Sequence, residues 1–247
     1  MNAWDRQTTA ANAGVRTVDQ GLRSYMLKVY NYMTSGVLLT SIIAYFAGTS
    51  PAFLNMVIQQ SADGRIGLSG LGYIIAFAPL AMVFFMMFKL RTMSTETLQI
   101  TFWAYATLMG LSLFSIFLVY TQASILKVLF FTAGTFGMLS MFGYATKRDL
   151  TSMGSFLMVG CWALIITSLV NVFLLKSSGL DLALSCIGVL IALGFTAYNT
   201  QQIKDTYYSV GGSGDLAKRA SILGALQLYM DFIMLFVNLL RLMGDRR

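Results

Sequence analysis

The sequence predicts an all-α fold, a polytopic membrane helix bundle with seven transmembrane helices. Hydrophobic residues make up 57% of the 247 residues and charged residues only 11%, well below the roughly one quarter typical of soluble proteins. Seven apolar runs of about 20 residues are continuous rather than alternating, which favours helices over the strands of a membrane barrel. The runs extend over Leu27–Gly48, Leu71–Phe88, Leu98–Tyr120, Ile125–Ala145, Ser155–Leu175, Leu180–Ile203 and Ser221–Met243.

The segments outside these runs are short and polar. Residues 1–22 lack the apolar core of a signal peptide, so we expect a cytoplasmic N-terminal tail ahead of a membrane domain at 23–247. A polar linker at 204–220 joins segments six and seven, and the other connections are too short to fold alone. The chain therefore has one membrane domain and no inserted soluble domain.

The distribution of basic residues predicts the orientation in the membrane. With the N-terminus in the cytoplasm, eleven Lys and Arg residues lie on the cytoplasmic side up to segment seven, and only three lie in the opposite loops. The positive-inside rule therefore favours a cytoplasmic N-terminus. Arg241, Arg246 and Arg247 follow segment seven and disagree with a seven-span count. Either the C-terminal residues violate the rule or segment seven re-enters, and we expect seven full spans.

Composition excludes several chemistries. The chain has no histidine, which excludes histidine-based catalysis, zinc sites and haem ligation. Cys161 and Cys186 lie in apolar runs without CxxC spacing, and we expect both to be buried small residues. The net charge of +7 is explained by membrane topology rather than by nucleic-acid binding. We expect neither a cofactor nor enzyme activity, since segment seven has no lysine for a retinal Schiff base and the membrane segments hold one carboxylate away from their ends.

That carboxylate, Asp231, lies in the middle of segment seven. A carboxylate at the bilayer centre costs roughly 2.5–3.5 kcal/mol on insertion scales, so it usually faces a protein interior or water and has a partner. Helical periodicity places Gln227, Asp231 and Asn238 on one face of this helix. The sequence therefore predicts a polar seam with the charge at its centre.

Segment six carries a matching polar stripe, Thr196, Asn199 and Gln202, at intervals of three residues. Because a short linker joins segments six and seven, the two helices are expected to be antiparallel neighbours. Asn199 is then the residue expected to face Asp231. We expect Asp231 to be buried, with Asn199 or a basic residue from the end of segment two as its polar neighbour.

Two further patterns concern helix packing. Small residues recur along segment four and allow membrane helices to approach closely. They are Gly134, Gly137, Ser140 and Gly143. Single Thr and Asn residues in membrane helices usually form hydrogen bonds between helices, which is the prediction for Thr196 and Asn171.

Three stretches of the chain resemble a known family. Residues 226–244 read LQLYMDFIMLFVNLLRLMG, which closely resembles the C-terminal signature of the Bax inhibitor-1 family, also called the transmembrane Bax inhibitor motif family. Residues 197–204, AYNTQQIK, resemble the end of its sixth helix, and 147–160, KRDLTSMGSFLMVG, its fourth-to-fifth connection. The resemblance covers all but the polar tail and looks like the bacterial branch. It implies a seven-helix fold in which six helices surround a central helix seven, in a bacterial inner membrane.

The resemblance also implies a function. Family members are implicated in calcium leak across membranes, through a gate that resembles a pair of aspartates in helices six and seven. Asp231 matches the helix-seven aspartate, where a passing cation would make a transient contact. Asn199 stands at the other position, a departure that weighs against pH-gated conduction. The family places a basic residue near the pair at the end of helix two, and Lys89 or Arg91 is the match.

Two functions therefore remain open. The first is a leak path for calcium or another cation across the lipid bilayer, with Asp231 and Asn199 in the path and further polar residues as possible gate partners. These are Thr196, Gln227 and Asn238. The second is a regulatory protein that modulates a membrane-bound ATP-dependent protease, as some bacterial members resemble, with the N-terminal tail as its contact.

Overall fold

The computed structural model of the protein describes residues 3–60, 66–90, 92–212 and 214–247. Within these residues, seven helices are long and apolar enough to cross a membrane. They are Gln20–Thr49, Gly70–Lys89, Thr95–Val119, Gln122–Ala145, Thr151–Leu175, Ser178–Ser209 and Gly214–Met243. The predicted all-α membrane bundle is confirmed.

The elements follow one another with short connections. They are α1 (Ala3–Thr49), α2 (Pro51–Val57), β1 (Ile58–Gln60), β2 (Ile66–Leu68), α3 (Gly70–Lys89), α4 (Thr95–Ser112), α5 (Phe114–Val119), α6 (Gln122–Ala145), α7 (Thr151–Val170), a π-helical turn (Asn171–Leu175), α8 (Ser178–Ser209) and α9 (Gly214–Met243). The two short strands form an antiparallel hairpin in which Ile58 pairs with Leu68. The connection between segments one and two thus contains a short helix and a hairpin.

Hydroxyl side chains begin many of these helices. At each such start, the side-chain oxygen accepts a hydrogen bond from a backbone N–H three residues later, which satisfies a donor that the helix leaves unpaired. The capping residues are Ser50 for α2, Ser69 for α3, Ser94 for α4, Thr121 for α6 and Ser177 for α8. These caps place the helix starts a few residues before the apolar runs begin.

Polar helix ends account for the largest differences from the predicted boundaries. The first helix begins at Ala3, so most of the predicted tail at 1–22 belongs to α1, and residues 1–2 lie outside the described part. The predicted linker at 204–220 is mostly helical as well, since α8 ends at Ser209 and α9 begins at Gly214. Hydropathy marks where the lipid ends, whereas polar residues continue a helix beyond it.

The turn between α8 and α9 depends on glycine. Gly211 and Gly212 have φ angles of 74° and 71°, in the left-handed region that residues with a Cβ rarely adopt. The backbone N–H of Gly212 donates to the carbonyl of Tyr207, which closes the end of α8. This turn makes α8 and α9 adjacent antiparallel helices, as the sequence predicted.

The last helix is the centre of the bundle. It packs against α8, α1, α6 and α4, and it is the most buried of the seven spans. The outer helices α3 and α7 pack mainly on α4 and α8. Leu228, Tyr229 and Leu235 are fully buried in α9. The expected central position of helix seven is therefore confirmed.

The contacts at its two ends show that α9 runs the full length of the bundle. Near its start, Asp215 accepts a hydrogen bond of 2.9 Å from Thr95, the first residue of α4. Beyond its end, the backbone N–H of Arg247 donates to the carbonyl of Val119, the last residue of α5, at 2.9 Å. Because α4 and α5 form one span, this geometry favours seven full spans over a re-entrant segment seven.

The small residues of segment four divide into two groups. A Cβ at Gly143 would clash with the backbone carbonyl of Ala197, so α6 and α8 touch at this point. Gly134 and Gly137 have no such neighbour. The packing prediction is therefore confirmed for Gly143 alone among these glycines. The expected burial of the two cysteines is wrong, because Cys186 of α8 is exposed and Cys161 of α7 is only half-buried.

Candidate functional site

Asp231 and Asn199 meet across the interface between α8 and α9. The side-chain amide of Asn199 donates a hydrogen bond of 2.8 Å from Nδ2 to Oδ2 of Asp231. Asp231 is 7% exposed and Asn199 is 9% exposed, so the bond lies inside the bundle. The structure thus brings together the two residues that the sequence placed on facing helices.

The surroundings of this pair are apolar along α9. Leu228 and Leu235 flank Asp231 and are fully buried, and Phe232 packs edge-to-face on Phe136 of α6 at a centroid distance of 5.5 Å. Burying a charged or polar group among such side chains is costly unless it is hydrogen-bonded. The bond from Asn199 therefore offsets part of the cost of keeping Asp231 in the interior.

Hydroxyl groups surround Asn199 on α8. Thr196 and Thr200 are fully buried, and their hydroxyls donate to the carbonyls of Ala192 and Thr196 at 2.8 and 2.7 Å. Thr200 also contacts Ser140 of α6, with 3.3 Å between the hydroxyl oxygens. The prediction that Thr196 bonds a neighbouring helix is wrong, because a buried Thr can satisfy its hydroxyl on the preceding turn of its own helix.

Asn171 likewise has a local partner. Its side-chain oxygen accepts from the backbone N–H of Ser177 at 2.9 Å, and its Nδ2 donates to the carbonyl of Ser177 at 3.2 Å. These bonds fold the chain back after the π-helical turn, where Lys176 has a φ of 47°. Asn171 therefore shapes the turn between α7 and α8, and its predicted bond to another helix is wrong.

The other polar residues of the predicted seam lie apart from the pair. Asn238 donates from Nδ2 to the carbonyl of Met234 at 2.8 Å, and its side chain lies against Gly188 of α8. Gln227 is half-buried. Within the described residues, neither side chain forms a hydrogen bond to Asp231. The role of both as gate partners stays a prediction.

Of the two basic residues expected beside the pair, Lys89 does not lie there. Lys89 is exposed at the end of α3, and Arg91 lies outside the described residues. The end of α3 is held instead by Arg219 of α9, which donates to the carbonyl of Leu90 at 2.9 Å and to that of Met93. Asp231 lies twelve residues further along α9, about 18 Å at the helical rise. The expectation that Lys89 approaches the pair is therefore wrong, because α3 ends at the edge of the bundle.

Sequence reasoning missed Arg219 because it read 204–220 as a linker. In a helix, Asp215 and Arg219 lie one turn apart on one face, and both contact the turn between α3 and α4. The signal that would have found them is their spacing of four residues. Within the described chain, the one ion pair joins Arg241 and Asp181 at 4.0 Å, away from Asp231.

Gln201 links two of the stretches that carry the resemblance. Its amide nitrogen donates to the carbonyl of Arg148, and its oxygen accepts from the backbone N–H of Leu150, both at 2.8 Å. In the same connection, hydrogen bonds from the side-chain hydroxyl and the backbone N–H of Thr151 hold the pKa of the Asp149 carboxyl below its usual value. These residues anchor the α6–α7 connection on α8. The stretches 147–160 and 197–204 therefore contact each other in the fold.

Asp231 is not surrounded by a cluster of side chains that could bind a metal ion, within the part of the chain that the structure describes. Calcium takes roughly six to eight oxygen ligands in a stable protein site. Within the described residues, no group of three or more acidic, Cys or His side chains is placed to hold a metal. Asp231, hydrogen-bonded to Asn199, is therefore not part of such a group.

Two cavities lie beside α9, of about 1170 and 320 Å³. Phe232 lines both, whereas Asp231 and Asn199 line neither. The pair is therefore closed off from both cavities in this arrangement.

A bundle of seven spanning helices with a hydrogen-bonded carboxylate buried in its central helix defines an integral membrane protein with a polar site inside its membrane domain. The family model described as inhibitor of apoptosis-promoting Bax1 matches residues 22–247. The chain belongs to this family, the Bax inhibitor-1 family.

Curated relatives agree with this assignment over nearly their full length. The chain is 44% identical to the protein RP147 of Rickettsia prowazekii, covering 97% of this chain and 96% of the relative. It is 42% identical to the inner membrane protein YbhL of Escherichia coli strain K12, covering 92% and 94%. It is 40% identical to a protein of Caulobacter vibrioides, covering 100% of both.

Proposed function

We propose that the protein is a cation leak path, for calcium or another cation, in which Asp231 contacts the passing ion. One observation carries this proposal: Asp231 is the acidic residue buried within the spans that the structure describes. An apolar residue at this position would avoid the cost of burying a carboxylate. A charge kept on the central helix at that cost is expected to act on a charged substrate.

The hydrogen bond between the pair suggests how the path closes. Asn199 occupies Oδ2 of Asp231, and the fully buried Leu228 and Leu235 lie on either side. A cation reaches the carboxylate only when α8 moves relative to α9 and the bond breaks. The freed carboxylate and the amide oxygen of Asn199 then both become oxygen ligands. We infer that the contact is the closed state of a gate.

The cellular setting is part of the same proposal. The relative YbhL is named as an inner membrane protein, and we propose the bacterial inner membrane for this chain, with the N-terminus in the cytoplasm. The basic residues on the N-terminal side of the bundle support that orientation. Calcium outside the cell would then enter along the path.

The test is flux into liposomes that contain a calcium-sensitive dye and the purified full chain. We expect wild-type protein to admit calcium faster than protein-free liposomes do, and Asp231→Asn to lower that rate by about tenfold, equivalent to about 1.4 kcal/mol. The matched control is Asp205→Asn, the same change at an exposed position of α8, which should keep the wild-type rate.

Two results would overturn the proposal. One is wild-type flux no faster than that of protein-free liposomes for calcium and for monovalent cations alike. The other is equal flux in wild-type and Asp231→Asn protein. In either case the regulation of a membrane protease becomes the function to test.

A further inference from the structure

A groove opens between α1 and α6. Both helices pack against α9, but they make no extensive contact with each other. The space between them is the cavity of about 1170 Å³, with Phe232 of α9 among its lining residues. Along α1 its lining runs from Gln20 to Ser41, about 32 Å at the helical rise, which is comparable to the thickness of a bilayer core.

The walls of the groove are apolar and open. Leu38 of α1 is 58% exposed, and Phe130 and Met141 of α6 are 77% and 73% exposed. The smaller cavity of about 320 Å³ shares Val37 and Phe232 with the groove and extends it further along the bundle. An apolar slot of this length fits an extended hydrocarbon chain.

One end of the groove is basic. Gln20, Arg23 and Tyr144 line this end, and Arg23 is the charged residue that lines the groove within the described chain. The ammonium group of Lys204 donates to the carbonyl of Tyr144 at 2.9 Å and lies 5.8 Å from the centre of its ring. Lys147 follows α6 by two residues. Arg23 and Lys204 therefore bring two positive charges to this end of the groove, its mouth, and Lys147 follows close by in the chain.

The nearest acidic residue in the connection after α6 is engaged elsewhere. Asp149 accepts a hydrogen bond of 2.8 Å from the backbone N–H of Thr151. The mouth therefore offers positive charge to a ligand, next to an apolar slot that opens to the side of the bundle. Basic pockets between membrane helices on the cytoplasmic side favour anionic lipid headgroups.

We propose that this groove holds one acyl chain of an anionic phospholipid, whose phosphate lies at Arg23 and Lys204. The lipid comes from the leaflet at the basic end of the bundle, which faces the cytoplasm in the proposed orientation. Its acyl chain would cover Phe232, the residue next to Asp231. The inference does not depend on conduction, because it rests on the shape and charge of the groove.

The test is lipid retention by the purified full chain, measured by native mass spectrometry after equilibration with phosphatidylglycerol or phosphatidylcholine of the same acyl length. We expect wild-type protein to retain one phosphatidylglycerol per chain, with a preference over phosphatidylcholine of about tenfold. Arg23→Gln with Lys204→Gln should remove the preference, since it removes the charge at the mouth.

A second pair of variants tests the groove itself. Gly137 lines the groove and no atom lies within 4 Å of its Cβ position, so Gly137→Leu places a bulky side chain in the slot. Gly134→Leu is the matched control, since this position is equally open but does not line the groove. We expect Gly137→Leu to lose the bound lipid and Gly134→Leu to keep it.

Three outcomes would overturn the inference. Equal retention of both lipids by wild-type protein would mean that the basic mouth selects nothing. An unchanged preference in the double variant at the mouth would mean that the phosphate lies elsewhere. Retention by Gly137→Leu equal to that by Gly134→Leu would mean that the lipid binds outside the groove.

Discussion

The side-chain amide of Asn199 donates a 2.8 Å hydrogen bond to the carboxylate of Asp231 across the interface of α8 and α9. This interface is the most extensive between any two helices of the bundle. A polar bond at its centre joins the central helix to its sequence neighbour. Movement of α8 relative to α9 must therefore break a buried hydrogen bond. Whether residue 199 is an amide or a carboxyl determines whether it attracts or repels the carboxylate of Asp231.

Asn199→Asp should give calcium flux a steep pH dependence that the wild type lacks. Two carboxylates at this distance share a proton at low pH, and they repel each other once that proton is lost as the pH rises. We expect flux in the variant to increase as the pH is raised through neutrality. Wild-type flux should vary little, because an amide cannot ionise. The measurement is liposome flux at a series of pH values.

The control for this experiment is Asn238→Asp. It adds a carboxylate to α9 at a residue whose amide bonds Met234 instead of Asp231. Each variant is repeated with Cys161→Ala, which removes the ionisable thiol of α7 from the comparison. Steep gating in the wild type that Asn199→Asp leaves unchanged would place the pH sensor elsewhere.

Gly143→Ala should destabilise the bundle, whereas Gly134→Ala should not. A methyl group at Gly143 meets the backbone carbonyl of Ala197, which cannot rotate away as a side chain can. Overpacking of this kind typically costs about 1–3 kcal/mol. For a chain of this length we expect a melting temperature lower by roughly 2–4 °C for each kcal/mol, measured in detergent. Equal melting temperatures for the two variants would contradict the close approach of α6 and α8.

The spans and the central pair were predictable because membrane physics constrains them strongly. Lipid requires continuous apolar helices, so seven apolar runs predict seven spans. A short linker makes segments six and seven antiparallel neighbours, and helical periodicity then aligns Asn199 with Asp231. Each step uses local sequence and one general rule.

The remaining features depend on information that hydropathy does not contain. Polar residues after segment six read as a linker, yet they continue α8 to Ser209 and begin α9 at Gly214. Because residues 204–220 were interpreted as a linker, the hydrogen bonds of Arg219 to the α3–α4 turn were not predicted. Thr196 and Asn171 each had two possible sets of partners, one local and one on another helix. Only the three-dimensional arrangement decides between them, and it selected the local partners.

Thr40→Val should cost more stability than Tyr229→Phe. The hydroxyl of Thr40 donates its one proton to the carbonyl of Ala106 at 2.8 Å. In the 2.7 Å bond between Thr40 and Tyr229, the Tyr229 hydroxyl is therefore the donor. Thr40→Val leaves the fully buried phenol of Tyr229 without its acceptor, which should lower the free energy of unfolding by about 1–3 kcal/mol. Tyr229→Phe only loses one hydrogen bond, which should lower it by about 0.5–1.5 kcal/mol. Thermal unfolding of both variants and of the exposed control Thr34→Val measures the difference.

A double variant completes this comparison. Thr40→Val with Tyr229→Phe removes donor and acceptor together and leaves no unpaired phenol. Its loss of stability should therefore be smaller than the sum of the two single losses. A strictly additive result would mean that the two hydroxyls do not interact.

The two ends of the chain should lie on opposite sides of the membrane. The basic residues predict a cytoplasmic N-terminus, and α9 runs from the α3–α4 turn to the end of α5. In a background with Cys161→Ala and Cys186→Ala, we introduce Ala10→Cys or Arg247→Cys and treat spheroplasts with a membrane-impermeant maleimide. We expect labelling at residue 247 and protection at residue 10, with both labelled after the membrane is permeabilised. Protection at both sites would mean that segment seven re-enters, and labelling at residue 10 alone would reverse the orientation.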